Sequence, residues 1–240
     1  MLCLRLRAPF AAFRDFSAGY YRATAPFVPP SAAYGLLLNI AGIESRLDDG
    51  KSPMTLMKSD LPTATIAIGV VRLPRTASLY QQAHNYPVGT TGKGRLADAK
   101  GNKYNIQPVR RELLADIDGY ICLDRAAELE ASVREGLRQE SRFASDDHAR
   151  YGLPFLGDNN FLISKLHEER ELQPAYWFTL LRREEATEAA NVCRMTIWID
   201  RKDMTQTISH LYSRTPTPVQ TIPEAAWTVI SPSQSQVAPK

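Results

Sequence analysis

The stretch "APFVPPSAAYGLLLNIAGIE", residues 25–44, constrains the fold more than any other part of the chain. Pro30 or Ser31 can open a helix here, because proline has no N–H to lose in the first turn and serine can cap. Gly42 supplies a natural C-terminal stop. Between them, apolar residues lie nearly all round the helix, which predicts a buried helix rather than a surface one.

Strands are legible too. "LCLRLRA" alternates Leu4 and Leu6 with Arg5 and Arg7, a strand with one apolar and one basic face. "TATIAIGVVRL" is rich in β-branched residues and predicts a second strand, and "DIDGYICL" a third. "DRAAELEASVREGLRQE" predicts a second helix, with Asp124 as cap and Ala127, Leu129, Val133 and Leu137 on its apolar side. "AYWFTLL" and "CRMTIWI" predict two late strands. The order is strand, helix, strand, strand, helix, strand, plus an extra strand. That is the α+β, ferredoxin-like βαββαβ pattern, in which two helices cover one sheet face and leave the other open. Many RNA-binding modules use that arrangement.

Between the second and third strands lies a segment the pattern does not require, about residues 74–111. It carries Gly89, Gly92, Gly94 and Gly101 together with Tyr80, Tyr86 and Tyr104. Net charge is only +3 for the whole chain, but it is unevenly placed. From Tyr80 to Arg111, six basic residues (Lys93, Arg95, Lys100, Lys103, Arg110, Arg111) stand against Asp98 alone. From Met1 to Ala25, four arginines (Arg5, Arg7, Arg14, Arg22) stand against Asp15. Concentrated positive charge points to a polyanionic partner. Glycines with lysines and tyrosines suit a projecting hairpin on which bases stack and phosphates meet cations. A solvated loop is the competing reading of the same residues.

Other classes are disfavoured. Walker, dinucleotide-binding, HExxH and cysteine–histidine metal patterns are absent, so neither a cofactor nor a metal is expected. Cys3, Cys122 and Cys193 are odd in number and widely spaced, which reads as core residues and not as a disulfide framework. No apolar run of about 18 residues occurs, so no membrane span is expected. Arg5 and Arg7 interrupt any signal-peptide core, and the expected location is cytoplasmic. His84 is the one histidine in the basic, aromatic segment and a candidate base for RNA cleavage. "RYGLPFLGDNNFLISKL" reads as a loop that packs over the sheet or docks on a partner. From residue 213 the chain is rich in proline, serine and threonine, which predicts an extended or disordered tail anchored through Trp227.

Taken together, "LRLRAPFAAFR", "YYRATAPFVPPSAAYGLLLNIAGIE", the basic insertion and "YGLPFLGDNNFLI" resemble the Cas-five family, the CRISPR-associated RAMP subunit of type I Cascade, with the type I-B, developmental-protein-S-like branch closest. The resemblance implies a ferredoxin-like (RRM-like) RAMP domain over residues 1–212 with a thumb insertion at about 74–111, extra C-terminal strands, and a separate tail at 213–240. It implies a non-catalytic subunit that caps the 5′ handle of the CRISPR RNA. Its implied partners are that RNA, the Cascade backbone and large subunits, and, indirectly, target DNA near the PAM. Handle-contacting positions carry over to Arg5, Arg14, Tyr20, Tyr21, Arg22 and Tyr34, joined by Arg7 and by Tyr80, His84, Tyr86, Lys93, Arg95, Lys100, Lys103, Arg110 and Arg111 of the thumb. Two alternatives stay open: a metal-independent endoribonuclease using Tyr34, His84 and Lys93, and a protein scaffold without RNA contact. Tyr34 is read in two ways, as a ring facing the handle or as a core residue with a hydrogen-bonded hydroxyl.

Overall fold

The apolar side of Leu2–Ala11 (β1) lies on the long central strand Asn105–Asp124 (β7), with Leu4 opposite Ile121 and Leu6 opposite Gly119. In this computed structural model, residues 1–15, 21–48, 50, 56–85, 105–138, 154–182 and 189–232 are described. On β7's other edge, Ala64–Arg72 (β5) and Arg75–Asn85 (β6) pair end to end with its two halves. Tyr21–Arg22 (β2) runs parallel to β7 beside Arg110 and Arg111. Two α-helices lie among the described residues, Pro30–Ile40 (α1) and Ala127–Arg138 (α2). Arg46–Leu47 (β3) and Leu56–Met57 (β4) form a separate small pair. The later strands are Lys165–Glu168 (β8), Tyr176–Leu180 (β9), Val192–Trp198 (β10), Ile208–Arg214 (β11) and Thr228–Ile230 (β12). The large sheet has the order β10-β11-β9-β5-β7-β1-β8. The described residues thus form a mixed α and β fold, with two helices on a large, mainly antiparallel sheet.

α1 forms where its sequence places it. Pro29 and Pro30 take the N-cap and first helical positions, and no side chain caps, so Ser31 does not act as a cap. At the other end Gly42 adopts φ 74°, and the Ile43 N–H donates to the Leu38 carbonyl at 2.9 Å. That left-handed turn is cheap for glycine and satisfies carbonyls the helix leaves open. Leu36, Leu37 and Ile40 are buried with Leu2, Leu4 and Leu6 of β1 and with Leu129 and Val133 of α2. The helix is not buried all round, however: Gly35 is exposed and Ser31, Ala32 and Asn39 are half-buried.

Several expectations change. Asp124 does not cap α2: it ends β7, and its carboxylate faces the Met1 ammonium at 3.7 Å. The Glu130 N–H bonds the Ala126 carbonyl, and Ala127 is exposed while Ala126 packs on the core. The strand that follows α2 beside β1 is β8, which starts in the last two residues of the segment read as a loop. "AYWFTLL" forms β9 on the opposite side of the sheet, next to β5. Four residues, two of them half-buried, carry too little periodicity to announce a strand.

The sheet face away from the helices is not left open. Trp177 of β9 lies on it, and a Cβ on Gly69, its cross-strand partner, would meet the indole at 2.7 Å. Only glycine leaves room for that ring. The Trp177 indole N–H donates to the Val219 carbonyl at 3.0 Å, and Ala226 and Trp227 close the same cluster. Residues 213–232, the described part of the segment read as a tail, are packed into the fold: β11 continues to Arg214, β12 pairs with β5, and the Tyr212 and Thr228 hydroxyls are 2.8 Å apart. Cys3 and Cys122 also face each other across β1 and β7, buried and joined as a disulfide. Their separation of 119 residues hid the pairing, which only strand register creates.

Candidate nucleic-acid interface

β6 and β7 run as a long hairpin, in register from Arg75 opposite Ala115 to Asn85 opposite Asn105. Alternation divides its side chains between two faces. On one face Tyr80 is 79% exposed and lies opposite Arg110. Arg110 donates from Nε and Nη2 to Ser78 Oγ at 3.1 and 3.0 Å, and its guanidinium sits 5.7 Å from the ring centre of Tyr21. The Tyr21 hydroxyl donates to Glu112, and this hydrogen bond, aided by desolvation, raises its pKa above the ordinary value. Ser78 and the Tyr21 ring thus hold the Arg110 guanidinium, Glu112 anchors the Tyr21 hydroxyl, and both tyrosines stay exposed. Arg14 and Arg22 are exposed nearby in sequence on the same N-terminal segment, Arg22 being opposite Arg111.

On the other face Arg111 is committed to the protein. Its Nη1 is 2.5 Å from the Asp158 carboxylate, and its guanidinium lies 5.5 Å from the Phe161 ring, which in turn packs 6.3 Å from Phe10. Burial pushes Asp158 upward, but hydrogen bonds from Asn160 and Arg111 outweigh it and hold the carboxyl below its usual value. The segment read as a docking loop is therefore tied to the hairpin base, with Leu156 buried and Phe155 exposed.

The basic face of β1 splits as well. Arg5 is 4% exposed and bonds Asp118 through Nε and Nη2 at 2.9 and 3.1 Å, so it is a structural cation turned inward. Arg7 reaches the same carboxylate at 3.3 Å but stays about half exposed. Lys165 of β8 stands opposite Arg7, and His167 stands opposite Arg5. His167 Nε2 is 3.6 Å from Glu169, and its Nδ1 has no hydrogen-bond partner in the structure. Sequence reasoning did not find Lys165 and His167 because their strand was not recognised.

Tyr34 settles on the second of its two readings. It is 2% exposed, its hydroxyl donates to the Pro62 carbonyl at 2.5 Å, and burial raises its pKa. Tyr34→Phe is expected to cost about 1 kcal/mol of stability in urea unfolding and to leave RNA affinity unchanged within about twofold; a selective loss of RNA affinity would contradict a core role. Tyr20, Tyr86, Lys93, Arg95, Lys100 and Lys103 lie outside the described residues, as does the His84 side chain. The structure thus brings together Tyr21, Tyr80 and Arg110, and separates Arg5 and Tyr34 from them. Among the described residues, no cluster of histidine, cysteine, aspartate or glutamate has a metal-binding arrangement. No helix among the described residues is long and apolar enough to cross a membrane.

Residues 1–143, from β1 through α2 and including the whole hairpin, match the family described as CRISPR-associated protein (Cas_Cas5). The chain belongs to that family. Its matched part holds the proline-led helix, the basic hairpin and the strand pair carrying Arg5 and Asp118, while β8 to β12 lie beyond it. Among solved structures, the chain is similar to one described as a CRISPR RNA-guided surveillance complex. The TM-score is 0.55 at 15% identity, covering 91% of this chain and 90% of the other. It is also similar to a chain described as a Cas protein crystal structure, with TM-score 0.45 and 14% identity over 97% and 96% of the two chains. At that identity the first likeness speaks to the fold alone. None of the curated proteins matches the sequence.

Proposed function

We propose that this chain is a non-catalytic RNA-binding subunit of a Cascade-type CRISPR effector complex, which caps the 5′ handle of the guide RNA and bridges the backbone and large subunits. The carrying observation is Arg110, held by Ser78, with the exposed Tyr21 ring beside it and the exposed Tyr80 opposite it on the paired strand. Rings offer stacking surface to any base, and a guanidinium held by Ser78 is ready for a phosphate without further ordering. Family membership and likeness to a chain of an RNA-guided complex support the same reading. In this reading the domain is a ferredoxin-like RAMP fold. The run β1, α1, β5, β7, α2, β8 with neighbour order β5-β7-β1-β8 supports it, although its open face is largely covered by Trp177 and the C-terminal segment.

Filter binding of the purified chain to its repeat-derived RNA across a salt series tests the proposal. Affinity is expected to fall steeply, by about 0.7 in log–log slope per phosphate contact on a single strand. Tyr80→Ala is expected to weaken binding about tenfold, the loss of one stacked base, with unfolding unchanged because the ring is exposed. A flat salt response would favour a scaffold that does not touch RNA. Site-specific cleavage of the labelled RNA in EDTA would favour the endoribonuclease instead.

A further inference from the structure

Along the outer side of α1 runs a groove of about 1270 Å³, between the β3–β4 pair, residues 154–159 and the end of β10. That volume exceeds the range of small-molecule sites and suits a segment of chain. Its floor is the open stripe of the helix, with Ala32, Gly35 and Asn39, and a Cβ added at Gly35 would meet nothing within 4 Å. Exposed Phe155 and Ile199 and half-buried Met57 form apolar walls.

The charges in the groove are unequal. Arg46, Lys58 and Arg201 line it, and no ion pair joins any of them to another of the described residues. The two carboxylates that also line it are already engaged within the chain. Glu44 accepts the Arg46 backbone N–H at 2.8 Å, and Asp158 is paired with Arg111. We propose that this groove seats an acidic, amphipathic segment of a neighbouring protein subunit, its apolar side against Phe155, Met57 and Ile199 and its carboxylates on Arg46, Lys58 and Arg201. The inference rests on the reading of this chain as one subunit of a complex. RNA fits the groove less well. Tyr21, Tyr80 and Arg110 do not line it, its one exposed ring is Phe155, and apolar walls gain nothing from a phosphate backbone.

Gly35 gives a direct test, because a side chain there projects into open groove without touching the fold. The chain is expressed with p-benzoylphenylalanine at Gly35 in its native host, the assembled complex is purified, irradiated, and its adducts are identified by mass spectrometry. The RNA content of the same sample is measured. The expected result is a covalent adduct to a net-acidic peptide of another protein chain, with guide RNA present. Lys58→Glu with Arg201→Glu is expected to reduce that adduct at least fivefold without changing thermal unfolding. With RNA present, an adduct to RNA, to this chain itself or to a peptide that is not acidic, or no adduct at all, overturns the groove proposal alone. Loss of both RNA and partner proteins from the purified sample overturns the subunit reading along with it.

Discussion

Arg5→Met is expected to destabilise the chain by about 3 kcal/mol or more at pH 7, measured by urea unfolding, because it strands a buried carboxylate. Asp118 is 7% exposed and receives two hydrogen bonds from Arg5, leaving Arg7 at 3.3 Å as its remaining cation. Burial alone pushes Asp118 upward, but the Arg5 hydrogen bond and the charges of Arg5 and Arg7 hold its pKa below the usual carboxylate value. A depressed folded-state pKa contributes stability that is present above the unfolded value and lost as pH falls through the folded one. Without Arg5 that contribution disappears and burial dominates, so the carboxyl protonates more readily. The gap between wild type and Arg5→Met is therefore expected to narrow as pH falls from above the ordinary carboxylate value of about 4 to below it. Arg5→Met combined with Asp118→Leu is expected to recover most of the loss, since replacing both partners of a buried pair is far less costly than removing one. A single variant as stable as wild type would show that Arg5 is not locked in the sheet and is free for RNA.

Shortening the hairpin is expected to cost the RNA and spare the fold. Gln81 pairs directly with Val109, so joining them through Asn-Gly replaces residues 82–108 with a two-residue turn suited to antiparallel strands. The deletion removes His84, Tyr86, Lys93, Arg95, Lys100 and Lys103, and keeps Tyr80, Arg110 and the Arg111–Asp158 pair. If the four lysines and arginines each meet a phosphate, the salt dependence flattens by about 2.8 in log–log slope, at about 0.7 per contact. Affinity at moderate salt is expected to fall at least a hundredfold. Thermal unfolding is expected to hold, because Leu113 and Phe161 at the hairpin base remain packed with Ala12 and Ala115. RNA bound as tightly after the deletion would remove the basis of the proposed function.

Local rules explain why some elements were legible in the sequence. α1 carries its own start in Pro30 and its own stop in Gly42, and β1 and β5 carry their alternation or β-branched runs, so neighbours had little left to decide. The matched family likewise rests on residues 1–143, where these signals are concentrated. The basic hairpin was visible as charge, glycine and tyrosine between two strands. Its geometry was not: which tyrosine faces which arginine follows from pairing Tyr80 with Arg110 and setting Tyr21 beside them.

What the sequence determined by itself was the proline-led helix, the strands around it and the sign of the charge on the hairpin, because helix caps, side-chain alternation and composition act over a few residues. Tertiary structure alone decided the fate of individual side chains. Arg5 and Arg7 are two residues apart on one strand face, yet one is buried against Asp118 and the other remains half exposed, because Asp118, 113 residues away on β7, and the Tyr120 ring enclose Arg5. The same holds for Cys3 and Cys122, for Tyr34 under Pro62, and for β8, whose four residues become a strand only when β1 offers its edge. Long-range register and burial have no local signature, so no window along the chain contains them.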